Sequence, residues 1–123
     1  MPELPEVESI ARRLNERLVG RCIASTEVRW ARAVDRPSVD AFVSGLSGQR
    51  VRAVRRRGKF VIVELDSRAL LVHLRMAGRL LLCPVTQLEL TQDPYVRALF
   101  RMDDGSVLVF RDVRKFGRLY LVQ

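Results

Sequence analysis

The chain has 123 residues, 22 lysines and arginines against 14 acidic residues, a formal charge of +8 and a hydrophobic content of 48%. That length and apolar fraction suit one domain with its own core and exclude a disordered chain or a long solenoid. No apolar run approaches the roughly 20 residues that cross a bilayer, and the acidic start lacks the basic-then-apolar order of a secretory signal, so a cytoplasmic protein with no membrane partner is expected.

Between residues 5 and 19, Val7, Ile10, Ala11, Leu14 and Leu18 recur at three- and four-residue steps, which predicts an amphipathic helix. Pro5 suits its first turn, Glu6 and Glu8 complement its positive start, and Gly20 supplies a left-handed stop. Residues 22–30 read as a strand, and 38–46 as a short helix capped by Ser38 and stopped at Gly48. From residue 50 the pattern shortens. Segments 50–56, 60–65, 70–75, 79–83, 96–102, 107–111 and 119–122 are rich in Val, Leu, Ile and Phe and are separated by Gly58, Asp66-Ser67, Gly78, Pro84, Asp104-Gly105 and Gly117. Asp104-Gly105 reads as a tight hairpin with positive φ at both turn positions. Residues 85–94 read as the one long loop. The expected fold is mainly β with flanking helices, an antiparallel sandwich of about eight strands with two α-helices.

Lys59 and Lys115 are the only lysines; every other basic residue is arginine. A rigid guanidinium fork suits phosphate and guanine edges, so a polyanion, nucleic acid first, is the expected partner. Solubility alone would also account for the charge, and composition does not separate the two. Cys22 and Cys83 lie far apart with no CxxC spacing, so reduced thiols are expected rather than a disulfide framework or a zinc knuckle.

The start Met1-Pro2-Glu3-Leu4-Pro5-Glu6 carries the sharpest chemical possibility. An initiator methionine ahead of a small residue such as proline is normally removed, and Pro2 would then present a secondary amine with a pKa near 8. Condensed with an opened sugar, that amine gives a charged iminium, having no second proton to lose. The iminium acidifies the neighbouring C–H and promotes β-elimination. Glu3 could shuttle protons and Glu6, one turn on, could hold the amine or the sugar. The plainer account is that the prolines stiffen the start and the glutamates favour the helix dipole; the residues alone leave both open.

The segment Met1-Pro2-Glu3-Leu4-Pro5-Glu6-Val7-Glu8 resembles the opening of bacterial formamidopyrimidine-DNA glycosylases, whose superfamily includes endonuclease VIII. Three further motifs follow in the family's order: Arg55-Arg56-Arg57-Gly58-Lys59-Phe60, His73-Leu74-Arg75-Met76-Ala77-Gly78 and Asp112-Val113-Arg114-Lys115-Phe116-Gly117. Leu4 resembles the formamidopyrimidine branch, since glycine is usual there in endonuclease VIII. The resemblance implies that Pro2 attacks the deoxyribose C1′ of a damaged nucleotide, that Glu3 is its acid/base partner, and that Glu6 supports the site. Lys59 and His73 resemble residues that grip the phosphates around a lesion. Met76, Arg114 and Phe116 resemble the trio that enters the duplex, filling the space left when a base is extruded by about 180°.

The chain departs from the pattern at Arg75 and Ala77, where glycine and serine are frequent, at Lys115, where arginine is, and at Tyr95, in a region where histidine is common. The family continues through a helix-two-turns-helix domain and a four-cysteine zinc finger, so residues 1–123 are expected to be an N-terminal catalytic domain, cut from a longer enzyme or naturally truncated. No cofactor is expected in this chain; the family's zinc belongs to the finger. The implied function is a glycosylase and abasic-site lyase of base-excision repair, monomeric and nucleoid-associated, removing oxidised purines such as 8-oxoguanine and formamidopyrimidines from duplex DNA with a damaged base or abasic site, with weak or no activity expected of the isolated domain. An endonuclease VIII-like preference for oxidised pyrimidines, or a module that holds DNA without cleaving it, are the alternatives.

Overall fold

The computed structural model describes residues 3–123. Helix α1 (Leu4–Leu18) is followed by β1 (Ile23–Val28), a 3-10 turn (Ala31–Ala33), β2 (Val34–Arg36) and helix α2 (Val39–Leu46). The remainder is β3 (Val51–Arg57), β4 (Phe60–Leu65), β5 (Ala69–His73), β6 (Gly78–Cys83), a 3-10 segment (Val85–Gln92), β7 (Val96–Met102), β8 (Val107–Asp112) and β9 (Arg118–Val122). The strands form two sheets, one of four in the order β1-β7-β8-β6 and one of five in the order β2-β9-β5-β4-β3. A mainly β sandwich with flanking helices is therefore observed, as its sequence pattern predicts.

Alternation makes the core. In β5, Leu70 and Val72 point inward, and in β4 Val61 and Val63 do the same. They meet Phe100, Leu108 and Phe110 of the other sheet. Helix α1 buries Val7, Ala11, Leu14 and Leu18, while α2 buries Phe42 and Leu46 and sets Phe42 6.3 Å from Phe100. Ser38 caps α2 by accepting from the Ala41 N–H at 3.2 Å.

Three contacts orient α1 along β3. Gly20 N–H donates to the Val51 carbonyl at 2.9 Å, the Asn15 side chain accepts from Val54 N–H at 2.8 Å, and Glu8 pairs with Arg56 at 3.1 Å. Rising residue numbers on the helix meet falling ones on the strand. The helix start is thereby carried toward the Gly58-Lys59 turn.

Several local expectations change. The strand expected over 70–75 ends at His73, because Arg75 turns left-handed at φ 56°. Residues 85–94 are largely wound into 3-10 turns, with Gln87 non-helical between them. Of Asp104-Gly105 only Gly105 has positive φ, at 87°; Asp104 accepts from the Ser106 N–H and hydroxyl, at 3.0 and 2.6 Å, holding a wider loop. Strand β2 has only three residues and pairs parallel to β9.

Asn15→Ala is expected to cost about 1–3 kcal/mol in urea unfolding, the penalty for stranding a buried N–H. An unchanged midpoint would show that the Val54 amide finds another partner.

Candidate nucleic-acid interface

Strand register collects the predicted residues. His73 is the last residue of β5 and pairs with Phe60 on β4 and Arg118 on β9, while Gly78 at the start of β6 pairs with Asp112 at the end of β8. The turns 74–77 and 113–117 both cross from one sheet to the other, so these two registers lay them side by side. The Gly58-Lys59 hairpin closes at the same end, since Arg57 pairs with Phe60. Gly58 takes φ 60° at its first position, as a two-residue loop with glycine leading requires.

Met76 and Phe116 are 51% and 46% exposed, as are other large apolar side chains such as Val85 and Leu90. With Arg75 and Arg118 they line an open cleft of about 260 Å³. The Arg114 guanidinium lies 5.5 Å from the Phe116 ring centre, so the two share one ridge. Gly78 donates to the Leu74 carbonyl at 2.9 Å, and a Cβ there would stand 2.4 Å from that oxygen. Glycine alone permits the turn that carries Met76.

The imidazole of His73 sits edge-on to Phe60, with ring centres 4.6 Å apart, and its Nδ1 accepts from the Arg75 N–H at 3.2 Å. Partial burial, then the charges of Arg75 and Lys59, hold its pKa below the ordinary 6.5. The neutral ring therefore keeps its proton on Nε2, the nitrogen left to donate outward. One side chain thus holds the Met76 turn and offers a donor.

Glu3 is the N-cap of α1, its carbonyl accepting from the Glu6 and Val7 amides at 3.0 and 3.1 Å. Its carboxylate makes no capping bond, and both Glu3 and Glu6 are exposed. Pro2 lies outside the described residues. Among the described residues no group of three or more His, Cys, Asp or Glu is placed to hold a metal.

Away from this end, Arg52 pairs with Asp66, Arg21 with Asp104 and Arg101 with Glu27. The charged groups of Arg57, Arg75, Arg114, Lys115 and Arg118 have no carboxylate oxygen within 4.0 Å among the described residues. These five cations surround two exposed apolar side chains, an arrangement that suits a polyanion with stacked, partly apolar contents, although Arg13, Arg17, Arg32, Arg50, Arg68, Arg79 and Arg97 likewise have no carboxylate partner among the described residues.

The family model described as "Formamidopyrimidine-DNA glycosylase N-terminal domain" matches residues 1–119. The chain belongs to the formamidopyrimidine-DNA glycosylase family. It is 42% identical over 122 residues to the Bacillus subtilis formamidopyrimidine-DNA glycosylase, covering 98% of this chain and 43% of that protein. It is 44% identical over 124 residues to the Protochlamydia amoebophila enzyme, covering 99% and 44%. A Lactococcus lactis formamidopyrimidine-DNA glycosylase, solved with a FAPY-dG containing DNA, superposes with a TM-score of 0.88 at 32% identity, covering 98% of this chain and 44% of that one. The same enzyme non-covalently bound to an AP site containing DNA gives 0.88 at 33%, covering 98% and 45%. The chain spans less than half the length of these relatives.

Structure also picks out residues that the motifs left unassigned. Trp30, the only tryptophan, has Lys115 and Arg118 within 5.2 and 5.4 Å of its ring centre. Its signal in the sequence is no more than its rarity.

His73 is the only histidine, so its NMR titration is unambiguous. Its midpoint is expected below 6.5. The folded ring binds its proton less tightly than the unfolded one, so its contribution to stability is complete above about pH 6.5 and lost as pH falls toward the folded pKa. A midpoint at or above 6.5 would contradict the environment described.

Proposed function

We propose that this chain carries the chemistry of a bifunctional DNA glycosylase and abasic-site lyase of base-excision repair, acting on oxidised purines such as 8-oxoguanine and formamidopyrimidines in duplex DNA. The observation that carries the reading is the meeting of the Lys59 hairpin, His73 and the exposed Met76 and Phe116 turns at one end, beside the start of α1. Family membership and structural neighbours solved with damaged or abasic DNA support it.

With Met1 removed, the Pro2 nitrogen attacks C1′ as the glycosidic bond breaks and the base departs with a proton from solvent; the C1′–O4′ bond then breaks, and O4′ takes the proton that the nitrogen gives up by way of Glu3. An iminium results. It draws electrons from the C1′–C2′ region, so loss of a C2′ proton expels the 3′ phosphate, and a second elimination expels the 5′ phosphate. Glu3, whose carboxylate is not spent on capping, relays protons, and Glu6 supports the amine. Lys59 and the Nε2–H of His73 grip flanking phosphates. Phe116 wedges between bases, Met76 fills the vacated space and Arg114 hydrogen-bonds the orphaned opposite base. The setting is cytoplasmic and nucleoid-associated, with the protein acting as a monomer.

Borohydride reduction of the Met1-free chain on an abasic-site duplex is expected to yield a slow-forming covalent adduct mapped to Pro2. Mapping to Lys59 or Lys115 would overturn the assignment. Lys59→Ala is expected to lower the slope of log affinity against log salt by about 1, the signature of one lost phosphate contact. An unaltered slope would remove Lys59 from the interface.

A further inference from the structure

We propose that Asp112 is a positioning residue whose buried carboxylate sets the 113–117 crossover in the conformation that presents Arg114 and Phe116. The inference rests on reading that turn as the duplex wedge.

Asp112 is fully buried. Its Oδ1 accepts from the Arg114 N–H at 3.1 Å and its Oδ2 from the Gly117 N–H at 2.6 Å. The residue's own backbone is fixed independently: its carbonyl accepts from Arg97 Nε at 2.9 Å, and its N–H donates to the Tyr95 carbonyl at 3.0 Å. Both carboxylate oxygens thus spend their bonds on the turn, from a residue anchored to the sheet.

A desolvated carboxylate is costly unless hydrogen-bonded, and the bonds here exist only while the turn is closed. Turn closure and Asp112 burial are therefore one equilibrium. Two features show that the backbone is shaped to meet the carboxylate. Lys115 adopts φ 62°, a left-handed conformation that lysine rarely takes. At Gly117 a Cβ would stand 2.9 Å from Asp112 Oδ2, 2.6 Å from the Phe110 ring and 3.0 Å from the His73 carbonyl. Only glycine lets that amide approach.

The consequence concerns discrimination. A wedge already ordered in the free protein loses little conformational entropy on entering DNA, so more of its contact energy is available to offset unstacking. Phosphate grips are indifferent to the lesion; the wedge is not.

The test compares the chain with Asp112→Asn, which keeps the side-chain volume but sets an NH2 group against one turn amide. Three readouts are taken well below the melting temperature: acrylamide quenching of Trp30, which contacts Lys115 of the turn, affinity for an abasic-site duplex, and affinity for an undamaged duplex. The variant is expected to fold, to expose Trp30 to quencher, and to lose lesion preference, the ratio of the two affinities, by about tenfold, or about 1.4 kcal/mol. A folded variant with the original quenching and preference would overturn the proposal. Should the variant not fold, hydrogen exchange of the unaltered chain decides: the Arg114 and Gly117 amides are expected to be protected far beyond those of Val113 and Lys115, and equal exchange would refute the role. If the unaltered chain shows no lesion preference, the wedge reading fails, and quenching and exchange still judge Asp112.

Discussion

Everything at the candidate site depends on two strand registers. Pairing His73 with Arg118 in one sheet and Gly78 with Asp112 in the other forces the turns between them to cross the sandwich next to each other. A slip of one residue in either sheet would turn its inward side chains outward, so burial of Leu70, Val72, Phe110 and Leu119 enforces the alignment. The hydrophobic core thus does positional work. Met76 and Phe116 stay exposed because the same registers leave them on crossovers, outside the layer that the sheets enclose.

Electrostatics give this end its character. Acidic side chains pair with some arginines, Arg21, Arg52 and Arg101 among them, and surface pairs of that kind add little stability. The charged groups of Arg57, Arg75, Arg114, Lys115 and Arg118 are in no ion pair among the described residues, so their positive potential is left for a partner. His73 adds a neutral donor rather than another charge, its proton affinity lowered by burial and by the neighbouring cations. Two residues adjoining Met76 and Phe116, Arg75 and Lys115, hold left-handed backbone, and each has an identifiable restraint nearby: the His73 imidazole for one, Asp112 and Trp30 for the other.

Much of this was legible in the chain. The spacing of Val7, Ala11, Leu14 and Leu18 announced α1, the Ser38 cap announced α2, and alternation marked most strands, because each signal is local. Strand order was not legible, since nothing near Ala69–His73 says that it will pair with Arg118–Val122. Strand β2 escaped because three residues carry no periodicity and its parallel partner lies far along the chain. The candidate site was named through motifs, and residues 59, 73, 76, 114 and 116 proved to share one end of the sandwich. Asp112 stood inside a motif without a role, because the burial that makes its carboxylate consequential exists only in the folded state.

On the proposed function, three turns and the start of α1 form one DNA-facing surface. Amide and methyl NMR shifts recorded while an abasic-site duplex is added test it most directly. The largest changes are expected to cluster at Lys59, His73, Met76, Arg114 and Phe116, with the opposite turns around Ser67 and Gly105 silent. Perturbations centred on those opposite turns, or spread evenly over the surface, would contradict it.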